Sequence, residues 1–177
     1  MQDNGQDAFP TIVLETERLL VRQWVHDDWK RLRLLTTDPL VLRYIGDGQP
    51  WSDERTRKFV DGGIQQAQSR GWVLWPLIHK QDAELIGFCG FNSTFAPDVE
   101  IGWWLLPAYW RRGLATEAAR AMLDYGFSKF RFPRVISVAQ PANFASIKIM
   151  QKLGMRFDKT FVHEGVQLVC YAKTVDA

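Results

Sequence analysis

The clearest chemical signal in the sequence is a junction at which an apolar strand pattern passes into a helical pattern. The segment "YWRRGLATEAA", residues 109–119, places Gly113 and Ala115 at the start of the helical pattern. The first N–H groups of a helix lack helical partners, small residues let an anion come close, and the helix dipole favours negative charge. Arg111 and Arg112 add positive charge. The junction predicts a pyrophosphate site. The sequence lacks the glycine-rich motifs of Rossmann folds and P-loops, so this site would be of another kind.

Other reactive side chains stand alone in the sequence. His26, His79 and His163 fall at a helix start and in two turns, without a Ser, Cys or metal ligand at a useful spacing. We therefore expect surface histidines and no metal site. Cys89 and Cys170 lie within apolar, strand-like runs, where reduced and buried thiols are expected.

Length and composition favour one globular domain. The 177 residues suffice for a single core, and we assign residues 11–177 to one domain behind a disordered or artificial lead at residues 1–10. Basic and acidic side chains nearly balance at a net charge of +2, so nucleic acid is not expected as a partner. The sequence shows neither a secretion signal nor an apolar run of roughly 18 residues, which favours a cytoplasmic protein and no membrane partner.

The elements that must position the junction follow from apolar periodicity. Helices are expected at residues 26–35, 39–44, 52–71, 116–130 and 143–154, with Asp38, Ser52 and Asn143 as N-caps. Their order with the strands predicts an α/β fold of the mixed α+β kind, a sheet with helices on both faces. Strands are expected at residues 18–24, 72–78, 84–91, 99–106, 135–139, 157–162 and 167–173.

Three segments resemble one known family. The pattern Trp110-x-x-Gly113-x-Ala115 is similar to the coenzyme A loop of the GNAT N-acetyltransferase superfamily, which reads Gln/Arg-x-x-Gly-x-Gly/Ala. Trp in the first position resembles the RimJ/RimL-like branch, in which "YW-x-x-G-x-A-T-E-A" is common. "NFASIKIMQKLGMRF" resembles the family's Asn-x-x-Ser helix, and "LETERLLVRQW" its first strand. These matches span nearly the whole chain in the family's order.

The resemblance implies a GNAT-like fold with a central, twisted, mostly antiparallel sheet and acetyl-CoA as cofactor. Two central strands, residues 99–106 and 135–139, are expected to splay apart and admit the pantetheine arm. A β-bulge in the first of them would expose the N–H group of Trp103, Trp104 or Leu105, which would polarise the thioester carbonyl, although these residues are also typical of an ordinary core strand. The residues expected to bind the coenzyme are Trp103, Trp104, Leu105, Arg111, Arg112, Gly113, Leu114, Ala115, Thr116, Asn143 and Ser146.

Glu100 and Ser146 are the catalytic candidates that the resemblance implies. Glu100 lies where some members carry a general base for the amine proton, acting directly or through water, if burial raises its pKa. Alternatively, Glu100 is a surface residue at a strand end, or it only orders the substrate ammonium. Ser146 is a candidate hydrogen-bond donor to the thiol sulfur, or a residue that bonds a helix carbonyl or contacts the pantetheine. Met150 stands where many members carry a Tyr acid.

The acceptor site is expected between the N-terminal helices and the splayed strands. Trp29 and Trp51 could stack on a cationic amine, Asp47 and Asp53 could attract it, and Glu100 would contact it. Alternatively, Asp53 favours a helix start and Trp51 is a hydrophobic staple. The few acids favour a peptide amine or a small mono-amine over a polyamine.

The sequence thus predicts an acetyl-CoA-dependent N-acetyltransferase that moves an acetyl group to a primary amine by direct attack on the thioester. The acceptor would be a protein or peptide N-terminus or a small molecule, and a homodimer is a candidate assembly. One alternative is a non-catalytic acyl-CoA-binding regulatory module, which Met150 favours. Another, a ribosome-associated binding protein, is disfavoured by the nearly neutral charge.

Overall fold

One mixed sheet organises the chain in a computed structural model that describes residues 10–175. The lead predicted for residues 1–10 therefore lies outside the described residues, except for Pro10. The spatial order is β1-β2-β3-β4-β5-β6-β8-β7, and every neighbouring pair is antiparallel except β5 and β6. The strands are β1 (Ile12–Glu15), β2 (Leu19–Arg22), β3 (Leu74–His79), β4 (Glu84–Asn92), β5 (Val99–Leu105), β6 (Arg134–Ala139), β7 (Arg156–His163) and β8 (Val166–Thr174).

The helices begin and end close to the predicted residues. Asp38 and Ser52 cap their helices by accepting hydrogen bonds from the N–H groups of Leu40 at 2.8 Å and Arg55 at 3.1 Å. Within residues 10–175, no helix is both long enough and apolar enough to cross a membrane. The helices are α1 (Asp28–Thr36), α2 (Pro39–Leu42), α3 (Asp53–Arg70), α4 (Leu114–Lys129) and α5 (Phe144–Lys152), with a 3-10 turn at Pro107–Tyr109.

Several predicted bounds differ from the observed ones. The strand expected at residues 18–24 is shorter, and the preceding strand β1 was missed because its four residues are partly exposed and lack a clear alternation. Helix α4 begins at Leu114, two residues before the predicted start, because Gly113 takes a left-handed conformation with φ of 80° and turns the chain there.

Helices cover both faces of the sheet, as predicted. Leu32 and Val60, from α1 and α3, pack with Phe88 on one face. Ala118 and Met122, from α4, pack on the other face within the larger core. These two layers hold the central strands from both sides, so the edges of β5 and β6 keep a fixed position.

Strands β5 and β6 diverge, which confirms the predicted splay. They pair only at Val99 with Val135 and at Glu100 with Ile136, although both strands continue for several residues. The predicted β-bulge in β5 was wrong, because β5 pairs with β4 in an uninterrupted register from Glu100 to Leu105. The backbone groups that β5 exposes therefore come from the missing β6 partner and not from a bulge.

Candidate active site

A cleft of about 1020 Å³ passes through the gap between β5 and β6. Its walls come from α2 and α3 on one side and from the start of α4 and the face of α5 on the other. Four predicted site residues do not line it: Trp29, Asp47, Asp53 and Arg112. The predicted residues that do are Trp51, Glu100, Trp103, Trp104, Leu105, Arg111, Gly113, Leu114, Ala115, Thr116, Asn143 and Ser146.

The start of α4 presents a row of backbone donors. Gly113 and Arg111 have φ values of 80° and 58°, which bend the loop sharply before the helix. The first helical hydrogen bond runs from the N–H of Glu117 to the carbonyl of Gly113 at 3.0 Å. Within residues 10–175, the N–H groups of residues 112–116 have no protein acceptor. This geometry fits a pyrophosphate, because free N–H groups and a helix dipole converge there.

Arg18 and Glu117, which were not among the predicted site residues, hold this loop. The Arg18 guanidinium donates to the carbonyl of Arg112 at 2.8 Å and pairs with Glu117 at 2.6 Å. Burial raises the pKa of Glu117, but hydrogen bonds from Thr16 and Arg18 outweigh it and leave that pKa below its usual value. Trp110 fixes the other end, because its indole N–H donates to the carbonyl of Leu105 at 2.7 Å.

The direction of each β5 N–H group follows from its pairing with β4. The N–H of Leu106 donates to the carbonyl of Ile86 at 2.8 Å, and N–H groups alternate sides along a strand. The N–H groups of Trp103 and Leu105 therefore face the gap. The N–H of Trp104 faces β4, so its predicted role as a carbonyl-polarising donor was wrong.

Glu100 lies where the two strands part. Alternation along β5 puts its side chain on the same face as Trp104, with Gly102 between them. Burial raises the pKa of Glu100 to about 7, although hydrogen bonds from the Asn92 side chain and the backbone of Val138 lower it in part. Glu100 is thus a partly buried cleft residue and not the surface residue that the sequence left open.

Helix α5 presents a hydroxyl to the cleft. Asn143 caps the helix, because its Oδ1 accepts a hydrogen bond from the N–H of Ser146 at 3.2 Å. Across residues 10–175, the Ser146 hydroxyl has no protein hydrogen-bond partner, so the alternative in which it bonds a helix carbonyl is not realised. Met150 is fully buried beneath the cleft and supplies no acid.

The acceptor side of the cleft is aromatic. Trp51 meets Phe59 and Trp104 edge to face, with ring centroids 5.6 Å and 5.4 Å apart. Trp29 instead packs against the α1–α3 core, with the Arg57 guanidinium 3.9 Å from its ring centroid. Its predicted place in the acceptor wall was therefore wrong.

The acids expected to attract the amine lie elsewhere. Asp53 pairs with Arg33 at 2.8 Å, and Asp47 accepts a hydrogen bond from the backbone of Gln49 at 3.1 Å. Neither lines the cleft. The alternative role of Asp53, at the first turn of a helix, is the one that the structure supports.

One histidine departs from its predicted exposure. His79 is buried, with its Nδ1 2.9 Å from a carboxylate oxygen of Asp82 and its ring centroid 5.3 Å from that of Tyr109. Its position at the end of β3, beneath the turn that precedes α4, accounts for the burial. Cys89 and Cys170 are free and buried, as predicted.

Comparison with known proteins gives three consistent likenesses. Residues 18–156 match the family model described as an acetyltransferase (GNAT) domain. The chain is 34% identical over 149 residues to the uncharacterized N-acetyltransferase YnaD of Bacillus subtilis, covering 84% of this chain and 85% of that protein. A GNAT-family acetyltransferase from Bacillus anthracis superposes with a TM-score of 0.79 at 33% identity, covering 91% of this chain and 97% of the other.

The predicted branch is represented among the solved structures. RimL, a ribosomal L7/L12 alpha-N-protein acetyltransferase solved in complex with coenzyme A, superposes with a TM-score of 0.79 at 20% identity. The match covers 93% of this chain and 98% of that one. At this identity the likeness concerns the fold.

Proposed function

Because the chain belongs to the GNAT acetyltransferase family, which uses acetyl-CoA, we propose that it acetylates a primary amine by direct attack on the thioester. The observation that carries the proposal is Glu100, a carboxyl group with a pKa of about 7 where β5 and β6 part. A general base is most effective when its pKa lies near the working pH. Acetyl-CoA supplies an acetyl group activated as a thioester.

The chain's backbone would hold most of the coenzyme. The free N–H groups after Gly113 would bind the pyrophosphate, with Arg111 at the edge of the same cleft. The N–H groups of Trp103 and Leu105 face the gap, where they would pair with the pantetheine arm or polarise the carbonyl. Asn143 would contact the same arm from α5.

Two side chains would manage the protons. Glu100 would accept the amine proton directly or through water while the nitrogen forms a bond to the acetyl carbon and the carbon–sulfur bond breaks. The Ser146 hydroxyl would donate a hydrogen bond to the departing thiolate. Because Met150 offers no proton, departure of the coenzyme A thiolate must depend largely on the low pKa of its thiol.

The proposed acceptor is the α-amine of a peptide or protein N-terminus, or a small mono-amine. The RimL-like fold and the volume of the cleft, about 1020 Å³, support a peptide. The buried Met150 favours the alternative, a non-catalytic acyl-CoA-binding module. The free, buried cysteines are compatible with the reducing cytoplasm, which we propose as the location.

Product analysis tests the proposal. Acetyl-CoA would be incubated with a mixture of N-terminal peptides, spermidine and aminoglycosides, with thiol release and product mass as readouts. We expect acetylated peptide or mono-amine from the wild type and a loss of about a hundredfold or more in Glu100→Gln, with unchanged coenzyme affinity. Glu164→Gln, in the exposed turn between β7 and β8, is the matched control. Coenzyme binding without turnover of any amine would instead establish the non-catalytic module.

A further inference from the structure

The acceptor side of the cleft is positively charged. Three basic residues line it: Arg43 directly after α2, and Arg55 and Lys58 on α3. Among residues 10–175, Glu100 is the one carboxylate in the cleft lining. A wall of this charge repels a polycation and attracts an anion.

Two of these cations are not neutralised by the protein. Lys58 pairs with Glu54 at 2.7 Å. Over the described part of the chain, neither Arg43 nor Arg55 has a carboxylate within ion-pair distance. The guanidinium of Arg55 lies 4.3 Å from the ring centroid of Trp51, a stacked position that leaves the N–H groups at its rim free to bind an oxyanion.

The distance between this charge and Glu100 sets the length of the acceptor. Trp104 lies four residues from Glu100 on the same strand face, so the Cα atoms of Glu100 and Trp104 are ~13 Å apart. Gly102 lies between them, has no side chain and lines the cleft. Trp51, on which Arg55 stacks, contacts Trp104. An amine at Glu100 and an anion at Arg55 would therefore be separated by an apolar stretch beside the aromatic rings.

We propose that the acceptor is an amine that carries a negative charge on the order of 10 Å from the reacting nitrogen, with an apolar or aromatic segment between them. This inference rests on the proposed function, since the nitrogen is placed at Glu100. In an extended peptide, at about 3.3–3.6 Å per residue, the third residue would carry the charge. A small amine with a remote carboxylate has the same chemistry.

Acceptors that differ only in the charge at one position test this inference. Three tetrapeptide amides would share serine and phenylalanine at their first two positions and differ only in glutamate, glutamine or lysine at the third. The pair 4-(2-aminoethyl)benzoate and its neutral amide tests the small-molecule source. We expect kcat/KM for the anionic member to exceed that for the neutral one by about tenfold or more, with lysine lower still, in whichever series the enzyme uses.

Two arginine variants assign the effect. Arg55→Gln should reduce the preference to within about twofold to threefold, because the charge-assisted contact is lost. Arg57→Gln is the matched control, since Arg57 lies on the same helix and stacks on Trp29 at 3.9 Å outside the cleft. This variant should keep the preference.

The outcomes distinguish the two proposals. Equal kcat/KM for the anionic and neutral members, or a preference that survives Arg55→Gln, would overturn the inference and leave the acetyltransferase activity intact. Absence of thiol release with every amine, in a protein that still binds acetyl-CoA, would overturn both. A preference for anions that Arg55→Gln removes and raised salt weakens would support the inference.

Discussion

Gly113 faces Arg18 so closely that a Cβ on residue 113 would lie 3.4 Å from Nη2 of Arg18. The same guanidinium holds the carbonyl of Arg112 and the carboxylate of Glu117. The loop before α4 is therefore fixed on its β2 side, while the N–H groups of residues 112–116 have no acceptor among the described residues. The φ of 80° favours glycine at residue 113, and the ion pair beside it fixes the loop.

Gly113→Asp should abolish the rise in melting temperature that acetyl-CoA produces in the wild type. The new carboxylate would compete for Arg18 and repel the pyrophosphate, and a ligand that no longer binds the folded state no longer stabilises it. Differential scanning fluorimetry against acetyl-CoA concentration measures the shift. Gly165→Asp is the control, because Gly165 has a similar φ of 79° and a Cβ there meets no atom within 4 Å. Coenzyme affinity unchanged in Gly113→Asp would refute the placement of the pyrophosphate.

Glu117→Gln should destabilise the protein by about 1 kcal/mol at neutral pH, because it removes the charge that Arg18 and Thr16 stabilise. Since the pKa of Glu117 is below its usual value, its contribution is present above the unfolded pKa and is lost as pH falls through the folded pKa. Urea unfolding of both proteins at neutral and strongly acidic pH measures this difference. A gap between them that stays constant into acid would contradict the assigned ion pair.

Glu100→Gln should be more stable than the wild type above pH 7. The pKa of Glu100 is about 7 in the folded state against an ordinary value of 4.5, so the folded state keeps a proton that the unfolded chain loses between those pH values. Wild-type stability therefore falls as pH rises through this window, and the difference should be on the order of 2 kcal/mol at pH 8. Below pH 4 the two proteins should have similar stability. Denaturant titrations across pH 4–8 measure it, and parallel curves would show that burial does not raise this pKa.

Ser146→Ala should lower kcat by about tenfold or less without loss of stability. The hydrogen bond from the backbone N–H of residue 146 to Asn143 is retained in this variant. Because a thiol has a low pKa, the thiolate can depart without the hydroxyl's hydrogen bond, although more slowly. Asn143→Ala should cost about 1 kcal/mol of stability because the helix loses its cap. Steady-state kinetics and thermal unfolding of both variants separate the two roles. A Ser146→Ala protein as destabilised as Asn143→Ala would indicate a structural hydroxyl.

Local features of the site were readable from the sequence. Gly113, Asn143 and Ser52 act through backbone groups at most a few residues away, so their types and spacing predicted the loop and the helix starts. The family pattern also located the splay, which the short pairing of β5 with β6 confirms.

The long-range pairings were decided by the tertiary structure alone. Trp29 and Trp51 are the same residue type in neighbouring segments, yet only Trp51 reaches the cleft, because packing of α1 against α3 covers Trp29. Trp103 and Trp104 are adjacent, and only their register against β4 determines which N–H faces the gap.

The partners of charged side chains were also decided by the tertiary structure. Asp53 was a candidate for attracting the amine until the fold brought Arg33 to it, and Arg55 gained its place in the cleft through the position of α3 beside β5. A charged side chain acts on whatever lies within a few ångströms, and here those neighbours are distant in sequence. The sequence by itself therefore determined the family and the backbone donors of the coenzyme loop, and the packing of α3 on the sheet decided the charge of the acceptor wall.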